Sequence, residues 1–206
     1  DLERIVALKP DLLVVWRDGN SPQQLQRLAT LGIPIYASEM GTLADIAQTL
    51  RRLGRIAGTE GVSEARAAAF EQRLQALRER YAGRPPLRIF YQVWQRPLLT
   101  FNDRHLVMQG LALCGVRNVF GSLGPLTPAV GEEAVVAADP DAIVTGRSGR
   151  DAPDGLDGWR RLGQMKAVRR GALIAVDPDT LHRSSDRIVE GLDALCEKLD
   201  AVRAGR

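Results

Sequence analysis

The chain has 206 residues, 45% of them hydrophobic and 26% charged, with a formal net charge of +3. That is long enough to bury a core in one large domain or two small ones, and the balance is that of an ordinary globular protein, not a disordered or fibrous one. The arginines stand among Asp and Glu along helical patterns, which reads as solvated helix faces and not as a nucleic-acid surface, and no apolar run is long enough to span a bilayer. The chain opens at Asp1, inside a helix-like pattern and with no initiator Met or signal peptide, as a fragment or a processed chain would.

A short helix containing Glu3, Val6 and Ala7 is expected first. Pro10 and Asp11 break it, and Leu12–Trp16 follows as a strand that runs into the turn Arg17, Asp18, Gly19, Asn20. Ser21 with Pro22 opens a second helix with the stripe Leu25, Leu28 and Leu31, which Gly32 stops. A strand over Ile33–Tyr36 comes next, then a helix from Thr42 and Asp45, a capping-box pair, to Gly58. From about Val62 to Ala82 the spacing of Phe70, Leu74, Leu77 and Tyr81 predicts one long helix with a narrow apolar stripe, closed by Gly83, Pro85 and Pro86.

Alternation then resumes. It gives a strand at Leu87–Val93, a helix at Val107–Cys114 closed by Gly115, and a Gly/Pro-rich loop over Gly121–Pro128. Slid forward by a constant offset, Glu3, Val6, Ala7, Pro10, Asp11 and Val14 fall on Glu133, Val136, Ala137, Pro140, Asp141 and Val144, so the opening helix, turn and strand recur. A polar turn region at 147–158, a strand at Leu173–Val176 and a C-terminal helix through Ile188, Leu192, Leu195, Cys196, Leu199 and Val202 complete the chain. Strands alternating with helices predict parallel sheets covered by helices, and the repeat predicts two similar lobes.

Three segments follow predicted strands, where ligands gather in open parallel sheets. These are Trp16 to Asn20, Tyr91 to Pro97, and Asp179 to Arg187. Two strand ends each bearing a Trp, with amides nearby, suit a flat ligand with a polar rim. In the third segment, the alternative role for Ser184 or Ser185 is to cap the C-terminal helix. His105 and His182 lie in no triad or metal-ligand pattern, and no phosphate loop occurs, which argues against an enzyme. Cys114 and Cys196, without Cys-x-x-Cys spacing, argue against zinc and leave two buried thiols or one disulfide as equal readings.

The run Leu2 to Leu12, with Val15 to Asn20, Arg88 to Gln92, Cys114–Gly115, Pro140–Asp141 and Arg183, Ser184, Arg187, closely resembles periplasmic binding proteins of the cobalamin type, which serve ABC importers. The resemblance covers essentially the whole chain. It implies an α/β fold of two Rossmann-like lobes with parallel sheets joined by a single long α-helix, divided as 1–60, 61–83 and 84–206, with the first lobe lacking its opening strands. It implies a periplasmic monomer that catalyses nothing, uses no cofactor or metal, and holds cobalamin in the cleft between lobes. Trp16 with Arg17, Trp94 with Gln95, Leu126 with Thr127, and Asp179 with Arg183 would line that cleft. A disulfide between Cys114 and Cys196 is implied as well, stabilising by roughly 3 to 5 kcal/mol, as is docking of the permease dimer through Glu3 and Glu133.

Leu126 or Thr127 stands where the family carries an aromatic, and Trp94 has no aromatic counterpart in every relative, so Trp94 is expected to restore the lost stacking surface. The neighbouring readings are a same-fold binder of haem, a ferric siderophore or another metal chelate, and, further off, a two-lobed α/β enzyme. An anionic siderophore would call for converging cations where only Arg17, Arg96 and Arg183 are placed. A nucleotide-using enzyme would need a Gly-rich phosphate turn that is not present.

Overall fold

A computed structural model describes residues 1–147 and 154–205, so part of the polar turn region expected at 147–158 lies outside the described residues. Contacts divide the chain into two units, Asp1–Met40 and Gly41–Arg206.

The first unit holds helix α1 (Leu2–Ala7), strand β1 (Leu13–Trp16), a 3-10 turn over Arg17–Gly19, helix α2 (Pro22–Ala29) and strand β2 (Ile35–Ser38). Asp1 caps α1, and Ser21 with Gln24 forms a reciprocal capping box on α2, with Pro22 at its start. β1 and β2 pair in parallel from Leu13↔Ile35 to Trp16↔Ser38. The second strand begins two residues later than the apolar run suggests, because Pro34 has no N–H for a ladder; its carbonyl instead accepts from Leu13 N at 2.8 Å.

The second unit opens with helices α3 (Leu43–Ala57) and α4 (Glu60–Arg80). Thr42 and Asp45 form the expected capping box, and Gly58 closes α3 in the left-handed conformation at φ 65°. The two helices pack closely at Gly54, where an added Cβ would stand 1.8 Å from Ser63 Oγ. Arg51 on α3 reaches two acids of α4, Glu64 at 2.8 Å and Glu71 at 2.7 Å. The stripe Phe70, Leu77 and Tyr81 is buried as its spacing predicts.

Strands β3 (Leu87–Gln92), β4 (Trp94–Gln95) and β5 (Leu98–Leu99), helix α5 (Leu106–Ala112), strand β6 (Val116–Asn118), helix α6 (Glu132–Ala138), strand β7 (Ala142–Gly146), helices α7 (Asp157–Arg160) and α8 (Lys166–Arg169), strand β8 (Leu173–Val176), and helices α9 (Pro178–Leu181) and α10 (Ile188–Ala204) follow. They build a four-stranded parallel sheet in the order β6-β3-β7-β8 and a small β4-β5 hairpin. Side chains alternate across β3. Phe90 enters a core with Val135, Ile143, Leu156, Trp159 and Met165, while Tyr91 packs instead against Phe101 and His182. The fold class is the expected one, α/β with a parallel sheet in each unit, and the long helix α4 lies between those sheets in sequence, after α3.

The repeat is present in the backbone as well as the letters. Lys9 (φ 46°) and Asp139 (φ 41°), each just before its Pro, are the non-glycine residues with positive φ among those described. At Asp139 the geometry is held by its carboxylate, which accepts from Lys166 N at 2.8 Å. Cys114 and Cys196 form a disulfide with a Cα–Cα distance of 5.9 Å. Ser184 and Ser185 do not cap α10. Ile188 N bonds to Ser185 O in a turn, which moves the cap to Arg187, where no side-chain cap bond forms. No described helix is long and apolar enough to cross a membrane.

Candidate functional site

In the first unit Trp16 ends β1 with its side chain 55% exposed. Its carbonyl accepts from Asn20 Nδ2 at 2.6 Å, which closes the 3-10 turn. Gly19 must be glycine for the indole to lie over that turn, since a Cβ there would come within 2.4 Å of the ring. Arg17 leaves the same strand end and pairs with Glu39 at 3.4 Å, both side chains exposed.

In the second unit the parallel arrangement brings the carboxyl ends of β3, β7 and β8 to one edge. β3 runs straight into the β4-β5 hairpin, whose turn carries a cis Arg96–Pro97 bond. Sequence reading ends the strand at Val93 and predicts no hairpin beyond it; a pair of two-residue strands has too few residues to show a period. The hairpin presents Trp94, 62% exposed, with its indole N–H donating to Arg96 O at 3.0 Å. Gln95 beside it is exposed. An open recess of about 260 Å3 lies against Trp94 and Gln95, bounded by Thr145 and Gly146 at the end of β7 and by Asp154 and Gly155.

Gln92, which sequence reading places only in a run, sets the shape of this recess from below. It is buried, accepts from Trp159 Nε1 at 2.6 Å, and donates to Gly155 O at 3.1 Å. Asp154 is held by Arg160, whose guanidinium lowers the carboxyl below the usual carboxylate range. The loop with Leu126 and Thr127 is tied down by buried Asn102, whose backbone N–H donates to Leu126 O at 3.0 Å and whose amide donates to Leu123 O at 3.0 Å. Leu126 and Thr127 are both exposed. Asp179 on α9 and Arg183 just beyond its end are exposed and paired at 2.9 Å. Thus Trp94, Gln95, Leu126, Thr127, Asp179 and Arg183 are all solvent-facing residues of the second unit.

Glu3 and Glu133 occupy the first turns of α1 and α6, and both are exposed. Neither caps its helix: Asp1 does so for α1, and α6 has no side-chain cap bond.

The two histidines, in no recognisable sequence pattern, meet in one cluster. His105 stacks on Phe101 with ring centroids 3.5 Å apart, Phe101 touches His182 edge-on, and Tyr91 Oη lies 2.9 Å from His182 Nε2. Burial pushes the Tyr91 hydroxyl well above its ordinary value. His105 also caps α5, its Nδ1 accepting from Val107 N at 3.3 Å. Burial first, and the neighbouring His182 second, push the His105 imidazole down to about 4. An imidazole depressed only in the folded state leaves stability intact above about pH 6.5. It removes stability as the pH falls from about 6.5 towards about 4, because the unfolded chain takes up the proton first. His105→Asn, which keeps a cap acceptor, is expected to remove a loss on the order of 2 kcal/mol across that window. Denaturant unfolding at several pH values checks this, and parallel profiles for the two proteins would contradict it.

Comparison with known proteins matches nearly the whole of this chain to part of longer relatives. The vitamin B12-binding protein of Pectobacterium carotovorum is 34% identical over 207 residues, covering 100% of this chain and 73% of that protein. Among solved structures, the periplasmic vitamin B12 binding protein BtuF of Vibrio cholerae superposes with a TM-score of 0.85 at 32% identity, over 98% of this chain and 78% of that one. The periplasmic heme-binding protein RhuT from Roseiflexus sp. RS-1 superposes at a TM-score of 0.80 with 23% identity, over 98% of this chain and 80% of that one, a likeness of fold alone. The sequence model of the periplasmic binding protein family matches residues 1–180, a span that takes in both parallel sheets, the long helix, the Trp94 hairpin and Asp179. On that match and those identities the chain belongs to the periplasmic binding protein family.

Proposed function

We propose that this chain is a periplasmic solute-binding protein that carries cobalamin to an ABC importer, and that it catalyses no reaction. The observation that carries the reading is the exposed Trp94 standing over a recess at the strand-end edge. It occurs in a chain that is 32% identical, over nearly its whole length, to a solved vitamin B12 binding protein. An indole held open to solvent at such an edge offers an apolar face to a corrin, and polar groups around it can meet the amide side chains at the rim.

In this reading the ligand-binding residues are Trp16, Arg17, Trp94, Gln95, Leu126, Thr127, Asp179 and Arg183. The lobes run over 1–60 and 84–206, with the long helix at 61–83 joining them. Cobalamin is the transported ligand and not a cofactor, and the protein acts as a monomer that delivers it to a permease dimer.

With no aromatic at 126 or 127, Trp94 supplies the second lobe's stacking surface. Trp94→Ala is expected to weaken cobalamin binding by more than about 1 kcal/mol, roughly fivefold or more, without lowering thermal stability, since the ring is exposed in the free protein. Isothermal calorimetry of the two proteins tests this, and an unchanged affinity would remove Trp94 from the site.

A further inference from the structure

The Tyr91–His182 contact is used neither by the fold's sheet ladder nor by the ligand-lining residues, and the geometry gives it a task. α9 has four residues and could not hold a helical turn by itself. Its placement comes from its anchors. Leu181 is buried below it and packs on α10 at Gly191, where an added Cβ would stand 2.7 Å from Leu181 Cγ. That contact fixes depth, but an apolar contact is non-directional. The directional anchor is His182, the residue that ends α9, whose Nε2 lies 2.9 Å from the hydroxyl of Tyr91.

Tyr91 is fully buried on the central strand β3, so its position is set by the sheet. A hydroxyl so placed needs a partner, and His182 provides it. The imidazole keeps an exposed outer side while its inner edge lies against Tyr91 and Phe101. Gly146 leaves room for this, since a Cβ there would sit 3.3 Å from His182 Cε1. Arg183 is the next residue in the chain, and it pairs with Asp179 across α9.

We propose that the Tyr91–His182 hydrogen bond positions Asp179 and Arg183, tying α9 to the centre of the parallel sheet and so setting where this ion pair stands on the strand-end edge. The proposal rests on the reading that the pair contacts the ligand. His182 is thus a positioning residue, acting through Asp179 and Arg183.

The test uses Tyr91→Phe, which removes the hydroxyl and keeps the ring, together with His182→Ala, the double variant, and His182→Gln, whose amide can reach the Nε2 position. In ligand-free protein, exchange of the Asp179 and His182 amides, hydrogen-bonded to Asp177 Oδ1 and Pro178 O, is expected to rise about tenfold in each of Tyr91→Phe and His182→Ala. It should rise no further in the double variant and return towards the wild-type rate in His182→Gln. Cobalamin affinity is expected to fall about tenfold in the same pattern. Wild-type exchange rates in both single variants, or losses that add in the double, would overturn the proposal. A wild-type protein that fails to bind cobalamin would instead defeat the proposed function, and the exchange rates would still decide the positioning role.

Discussion

Reduction of the Cys114–Cys196 disulfide is expected to lower the melting temperature of the Gly41–Arg206 unit by about 10 °C or more. The bond closes a loop with a sequence separation of 82 residues. Chain-entropy arithmetic for a loop of that size gives about 4 to 5 kcal/mol, nearly all of it acting on the unfolded state. For a chain of this size each kcal/mol moves the melting temperature by roughly 2 to 4 °C.

The folded form should survive reduction. α5 and α10 keep their close packing, with Leu192 filling the space above Gly110, where a Cβ would stand 2.3 Å from its Cδ1. Arg203 on α10 is buried and donates to Pro85 O at 3.0 Å and to the carbonyl of Cys114 itself. The loss should therefore appear as earlier melting of a protein that is still native at room temperature. Calorimetry of the Cys114→Ser, Cys196→Ser double variant measures it, and a melting temperature within a degree or two of the wild type would contradict the account.

Reversing the charges of Glu3 and Glu133 together is expected to abolish uptake while leaving cobalamin affinity unchanged. Each acid sits in the first turn of its copy of the repeated helix, exposed and with no role in capping. An acid at a helix N-terminus is favourable by about 0.3–1 kcal/mol, so Glu3→Arg and Glu133→Arg have a modest cost in stability, too small to explain a lost activity. One acid per copy of a repeat suits a partner that is itself two-fold, and a charged docking contact is sensitive to reversal through both attraction and steering. Uptake in vesicles carrying the importer, measured alongside calorimetric affinity, separates the two functions. Transport at the wild-type rate would refute the docking role.

Much of the fold is legible because glycine and proline punctuate the chain. Gly58 and Gly115 stand at positive φ where the sequence predicts stops. The Pro10 and Pro140 turns share a left-handed residue just ahead of the proline, a backbone match behind the matching letters. The errors have physical causes. A proline without an N–H delays β2 to Ile35, and β6 and the β4-β5 hairpin are too short to show any period.

The candidate site is legible in part, for the same kind of reason. Trp16 ends β1, Trp94 comes just after β3 and Asp179 just after β8, and strand ends can be read from a sequence. What positions them cannot be read in this way. Gln92 meets Trp159 across 67 residues, Tyr91 meets His182 across 91, and Asn102 reaches Leu123 across 21, so each depends on the finished fold. Two histidines that look unrelated in the sequence share one aromatic cluster for that reason.

The central claim, that this chain binds cobalamin, is tested most directly by calorimetric titration of the purified protein with cobalamin, and in parallel with haemin and a ferric hydroxamate siderophore. The account predicts saturable one-to-one binding of cobalamin at least a hundredfold tighter than of either competitor, a margin of about 2.7 kcal/mol. Binding of haemin or the siderophore with no heat from cobalamin would contradict it.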